Sequence, residues 1–135
     1  MTMLFGEQHI AEYKATNGET GYEWNGATIL LLGTTGRKSG EPRIHPLIYR
    51  EWDGAYLVVA SKGGSDNPPT WFLNLTANPE VTVQIKDEVF PAVARVATPD
   101  EKPAMWKYMT EVWPDYDKYQ SGTTREIPIV VLERA

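Results

Sequence analysis

Three apolar runs follow one another with only turns between them: "ATILLLG" at 27–33, "RIHPLIYRE" at 43–51 and "AYLVVAS" at 55–61. No connection among them holds a crossover helix, so the three read as antiparallel strands. "ATILLLG" is apolar on both faces and bounded by Gly26 and Gly33, the pattern of a strand covered from both sides. Asp53-Gly54 between two such runs is a strong hairpin signal.

The rest of the chain repeats the pattern. "EVTVQIK" alternates Val81, Val83 and Ile85, turns at Asp87-Glu88 and returns as "VFPAVARVA"; "IPIVVLER" reads as a final, fully buried strand. Pro91 places the return strand at an edge or on a bulge. Helical signals are fewer. Residues 5–16, with Phe5, Ile10 and Tyr13 near helical spacing, read as a surface helix stopped by "TNG", inside an N-terminal helical segment 1–22. "TWFLNLTAN" reads as a short helix capped by Thr70. Thr98, Pro99 and Glu101 form a capping box that opens a helix over about 99–112, ended by Pro114. Six mostly antiparallel strands with flanking helices close most naturally into a small barrel, which leaves few edges exposed.

Composition bounds the function. The 135 residues, 41% hydrophobic and 23% charged, make one globular domain. A net charge of −5 repels duplex DNA, so any bound anion is held locally and no nucleic-acid partner is expected. No cysteine is present, and His9 and His45 stand in no metal-ligand spacing, so no metal site is expected. The N-terminus has no signal-peptide pattern and no 18-residue apolar run occurs, which points to a cytoplasmic protein without an integral membrane segment.

Against this acidic background, "TTGRKSG" at 34–40 gathers Arg37 and Lys38 between two glycines, with Ser39 and then Arg43 close by. Such a turn reads as a nest of N–H groups flanked by cations, suited to a phosphate or carboxylate, or else as a hairpin with solvated charge. It has neither P-loop nor dinucleotide-binding spacing. In "ASKGGSDNPPTWFLN" the pair Gly63-Gly64 follows a strand end. Glycines there let backbone approach a flat ligand, or merely serve a long connection. Trp71 reads as core before ligand platform. Tyr116 and Tyr119, three apart after Pro114, share one side of a helical turn, as surface packing or as a pocket wall.

The segments "TTGRKSG", "PRIHPLIY", "DGAYLVVASKGG", "NPPTWFLNLTANPEV", "VWPDYDKYQ" and "REIPIVVLER" occur in this order, and together they make the chain resemble the deazaflavin-dependent nitroreductase family. The likeness runs from about residue 23 to the end. It implies a split β-barrel and coenzyme F420, whose reduced form donates a hydride from its deazaflavin C5 to an electron-poor acceptor: a quinone, an enone, an activated lactone or a nitro-aromatic. It also implies the site. Arg37, Lys38, Ser39 and Arg43 match the positions near the phosphate and anionic tail. Ala60, Ser61, Lys62, Gly63 and Gly64 match the loop along the ring, with Pro69, Thr70 and Trp71 on the next turn. Ser61, Tyr116 and Tyr119 match the groups that hydrogen-bond a small hydrophobic acceptor. Two departures stand out. The N-terminus holds no long amphipathic anchor, which leaves peripheral membrane contact open. Lys62 also carries charge where a neutral residue is expected. An FMN-dependent barrel and a non-catalytic carrier of F420 or lipid remain as alternative readings, and the oligomeric state is left open.

Overall fold

The computed structural model describes residues 6–135. Its strands are β1 (Glu23–Trp24), β2 (Ala27–Thr35), β3 (Pro42–Ile48), β4 (Arg50–Trp52), β5 (Ala55–Val59), β6 (Glu80–Ile85), β7 (Glu88–Val96) and β8 (Ile129–Arg134). Its helices are α1 (Gly6–Thr16), α2 (Thr70–Ala77), α3 (Lys102–Val112) and α4 (Asp115–Ser121). Every strand pairing is antiparallel, in the order β1-β2-β6-β7-β8-β5-β4, with β3 also on β2.

"RIHPLIYRE" is two strands rather than one. Residues 42–48 pair with β2, and residues 50–52 pair with β5, which lies toward the other end of the strand order. This single segment stitches two distant parts of the sheet together and curls it into a split barrel. The β4–β5 turn follows its sequence signal: Asp53 and Gly54 have φ of 49° and 81°, both positive as a two-residue hairpin with the strands' twist requires.

The pleat explains why so many runs are apolar throughout. Leu30, Leu32, Val58, Val83, Val130 and Leu132 fill the barrel interior. Their neighbours Leu57, Val59, Ile129 and Val131 face outward against Met105 and Met109 of α3, while Ile29 and Leu31 face Tyr13 of α1. Helices cover the outer face, so both faces of these strands lie out of water.

Several local expectations need correction. β7 is not an edge strand, since β6 and β8 flank it. Pro91 is tolerated there because its carbonyl, which accepts from Ala135 N, shows that its ring nitrogen faces the last residue of the β8 side, beyond the paired register. The β6–β7 turn is Lys86-Asp87, one residue earlier than expected, because Ile85 pairs with Glu88 and Lys86 supplies the positive φ of 55°. Thr70 does not cap α2; Pro69 precedes the helix and its carbonyl accepts from Phe72 N. The Thr98–Glu101 capping box forms both of its bonds, Thr98 N to Glu101 Oε1 at 2.9 Å and Glu101 N to Thr98 Oγ1 at 3.3 Å, although regular helix begins only at Lys102. α1 is no surface helix: Tyr13 is fully buried and its hydroxyl donates to Ile29 O and accepts from Lys86 N. Phe5 lies outside the described residues. None of the described helices is long and apolar enough to cross a membrane.

Candidate functional site

A cleft of about 410 Å³ opens where α1, the outer face of β2–β3, the loop after β5 and α4 converge, a volume suited to a small organic molecule. Ile29, Ile48 and Val59 supply strand walls, Trp24 and Trp113 lie tilted against each other at 5.5 Å, and Ser61, Lys62, Pro69 and Trp71 add to the lining. Trp71 belongs to the barrel core, as its sequence suggests, and also lines the cleft.

The rim is built by a strained loop. Lys62, Gly63 and Gly64 all lie at positive φ, 47°, 62° and 84°, a run of left-handed backbone that side chains other than glycine resist. The space beside Gly64 is taken by α4. A Cβ built there would stand 2.8 Å from Tyr119 O and 3.0 Å from Tyr119 Cα, so this glycine lets the loop seat against α4. A Cβ built at Gly63 would meet nothing within 4 Å. Ala60 is fully buried and touches no cleft; its N donates to Pro128 O and its carbonyl accepts from Arg125. Arg125 grips the loop with all three guanidinium nitrogens, donating to Ser65 O at 3.0 Å, Ala60 O at 3.2 Å and Ser61 O at 2.9 Å. Gln120 donates to Arg125 O and accepts from Ile127 N. It therefore braces that clamp instead of lining the cleft.

Tyr116 and Tyr119 both reach the cleft from α4, their rings edge to face at 6.2 Å. They differ in setting. Tyr116 is buried, and burial, with Tyr119 beside it, pushes its phenol well above the ordinary range, so it stays protonated. Tyr119 is half-buried and its oxygen accepts from Trp113 Nε1 at 3.4 Å. Its own hydrogen is left to donate.

In the basic hairpin between β2 and β3, four N–H groups are already paired. Gly36 N donates to Glu41 O, Arg37 N to Asn74 Oδ1, Gly40 N to Gly36 O and Glu41 N to Ser39 Oγ. Three of these acceptors lie in the turn and the fourth is Asn74 of α2, whose Nδ2 also donates to buried Thr34. What the turn offers a ligand is charge. Arg37 and Lys38 make no ion pair among the described residues, while Arg43 meets only Glu41, at 3.5 Å and largely in solvent. Arg37, Lys38, Ser39, Arg43 and Thr70 stand outside the cleft wall, as do Gly63 and Gly64. Along the inner pleat of β3 the order is Arg43, His45, Leu47, with Leu47 at the cleft. His45 Nδ1 is sealed from solvent without a partner, and burial, then the Arg43 charge, lowers its pKa.

Sequence reasoning missed four participants. His9, Trp24 and Trp113 line the cleft, and Arg125 sets its rim. The aromatic-rich "VWPDYDKYQ" carried a signal for Trp113, and Arg125 stood in "TTREIP"; nothing in the local sequence pointed to His9.

A flat ring with an anionic tail asks for an apolar slot beside unpaired cations. The cleft is mostly apolar, and the β2–β3 hairpin holds cations without an ion pair among the described residues. A family model described as F420H(2)-dependent quinone reductase matches residues 6–134. An F420H(2)-dependent quinone reductase of Mycobacterium tuberculosis is 42% identical over 130 residues, covering 93% of this chain and 87% of the relative. A solved structure described as an F420-H2 dependent reductase is 44% identical, with a TM-score of 0.72, covering 78% of this chain and 93% of its own. Another, described as a domain-swapped dimer, is 40% identical, with a TM-score of 0.75, covering 92% and 94%. The split barrel, the cleft and these likenesses together place the chain in the F420H(2)-dependent quinone reductase family, enzymes that use F420 in its reduced form.

Proposed function

We propose that the cleft holds the ring of F420 against the loop 61–64, with the tail on the basic hairpin, and that a planar hydrophobic acceptor, a quinone first among electron-poor carbonyl compounds, binds between that ring and α4. When bound, reduced F420 supplies a hydride from C5. The observation that carries this reading is a mostly apolar cleft with Lys62 on its rim, in a molecule whose β2–β3 hairpin holds Arg37 and Lys38 without an ion pair among the described residues.

Each group then has a task. Lys38 and Arg37 attract the anionic tail, and Arg43 adds a fork-shaped donor. Ser39 Oγ already accepts from Glu41 N, so its hydrogen remains for a phosphate oxygen. The left-handed turn at Lys62–Gly64 lays backbone along the ring, Pro69 and Trp71 wall it, and Thr70 opens the helix behind them. Ala60 acts through the clamp. Ser61 and Tyr119 donate to the acceptor oxygen as negative charge builds there, and Tyr116 is the apolar floor. Packing both reactants in a slot with little water supplies orientation, the largest contribution such a scaffold makes.

Titrating the protein with F420 beside FMN, by absorbance and calorimetry, and then measuring turnover of reduced F420 with a quinone tests the proposal. F420 binding tighter than FMN, with quinone-dependent oxidation, is the expected result. Equal or tighter FMN binding sinks the cofactor assignment, and tight F420 binding without turnover marks a carrier.

A further inference from the structure

His9 lies on the cleft wall, almost fully buried, on a helix with no assigned chemistry. Its Nε2 stands 2.7 Å from Gly21 O. A carbonyl oxygen only accepts, so Nε2 carries a hydrogen and the ring is locked in one tautomer and one orientation. Gly21 makes the contact available, since a Cβ there would come within 3.0 Å of the imidazole. The other nitrogen, Nδ1, has no hydrogen-bond partner among the described residues. It is not sealed either, because the sealed and unpartnered side-chain atom among the described residues is His45 Nδ1. An imidazole nitrogen is thus left free on a ring that borders an otherwise mostly apolar cleft.

We infer that His9 Nδ1 exchanges the proton that the acceptor oxygen needs once it has been reduced. The inference rests on the reading of the cleft as the acceptor site. A quinone that has received a hydride is a hydroquinone anion and requires one proton. In the cationic ring the Nδ1–H bond breaks, the new O–H bond forms on the acceptor, and the imidazole is left neutral. Its lone pair then accepts from the product hydroxyl until the product leaves and solvent returns the proton. Lys62, Tyr116 and Tyr119 are the other titratable side chains on this wall. A neutral imidazole accepts at one nitrogen and the cationic ring donates from both, so one side chain serves both directions of transfer.

The test uses the full chain loaded with F420 and the variant His9→Gln, whose side-chain amide N–H keeps the bond to Gly21 O while Nδ1 is lost. Two measurements are made: the single-turnover rate of F420H2 oxidation by a simple benzoquinone, and the ¹⁵N resonance of His9 Nδ1 as benzohydroquinone is added to the oxidised complex. The expected outcome is a loss of about 100-fold in rate with unchanged F420 affinity, together with a saturable Nδ1 shift in the wild type. A wild-type rate in His9→Gln, or an Nδ1 resonance that does not move while hydroquinone binds, overturns the assignment. If wild-type protein binds F420 but neither binds hydroquinone nor reduces the quinone, the acceptor reading itself fails, and the role of His9 with it.

Discussion

Arg125 Nη2 donates to the carbonyl oxygen of Ser61 at 2.9 Å, across 64 positions of chain. The bond ties the segment after α4 to the loop that rims the cleft, and two more guanidinium bonds secure it. Charge-assisted bonds of this kind contribute about 1.5–3 kcal/mol each when removed singly. Lysine cannot reproduce the fork. Arg125→Lys should therefore lower Tm by several degrees and weaken F420 binding at least tenfold, read by thermal melting and titration. Unchanged F420 affinity in a folded variant would show that the clamp does not shape the site.

The glycine pair makes a sharper comparison. Gly63 and Gly64 both lie at positive φ, but only Gly64 faces backbone, that of Tyr119. Left-handed geometry costs an alanine about 1–2 kcal/mol at either position; at Gly64 the clash with Tyr119 is added. Gly64→Ala should lose markedly more stability than Gly63→Ala and should disturb the acceptor KM, because α4 is displaced. Equal melting temperatures for the two variants would contradict this account of the loop.

Binary patterning made β2, β5, β6 and β8 readable, since alternating or two-faced apolar runs are local properties. The Asp53-Gly54 turn and the Thr98–Glu101 box were readable for the same reason. The division of residues 42–52 between two partners, the flanked position of β7 despite Pro91, and the seating of Gly64 on Tyr119 all depend on contacts between distant segments. No window of sequence contains them. Tyr119 was legible as a candidate through its spacing from Tyr116. His9 was not, because an imidazole on a helix carries no signal until the helix docks.

His45 offers a prediction in pH. Burial, followed by the Arg43 charge, lowers its pKa in the folded state below the ordinary 6.5, so the unfolded chain binds the proton more readily. This contribution to stability is in place above about pH 6.5 and is lost as pH falls below it toward the folded value. His45→Phe removes the titrating group and the sealed, unpartnered Nδ1 together. Its melting temperature should decline less between pH 7 and 5 than that of the wild type. Parallel pH profiles would show that His45 is not a source of acid sensitivity.

The hairpin cations should separate binding from stability. Lys38→Ala or Arg43→Ala should weaken F420 binding by about 1–3 kcal/mol, with the loss shrinking as salt rises. Tm should barely change, because the Arg43–Glu41 contact is exposed and such pairs contribute about 0–1 kcal/mol. Glu41→Gln should tighten binding, since it frees Arg43 and removes a negative charge beside the tail. Calorimetry across a salt series decides; loss of stability matching loss of binding would make these residues structural.

The two tyrosines of α4 should respond differently to the same changes. Tyr119→Phe removes a hydroxyl whose hydrogen is free to donate, so turnover should fall with acceptors that present an oxygen there, while F420 affinity stays constant. Tyr116→Phe should do little, because a phenol held protonated in an apolar setting contributes chiefly its ring. Truncation reverses the emphasis. Tyr116→Ala empties a buried site within the cluster that includes Ile127 and Met109 and should cost about 3–5 kcal/mol of stability. Tyr119→Ala should leave the fold nearly intact and raise KM for bulky planar acceptors, because the lost aromatic wall served bound acceptor and transition state alike. Steady-state kinetics with one quinone and one enone at saturating F420H2, alongside thermal melts, resolve all four variants. Wild-type kinetics in both Tyr119 variants would show that Tyr119 is no part of the acceptor wall.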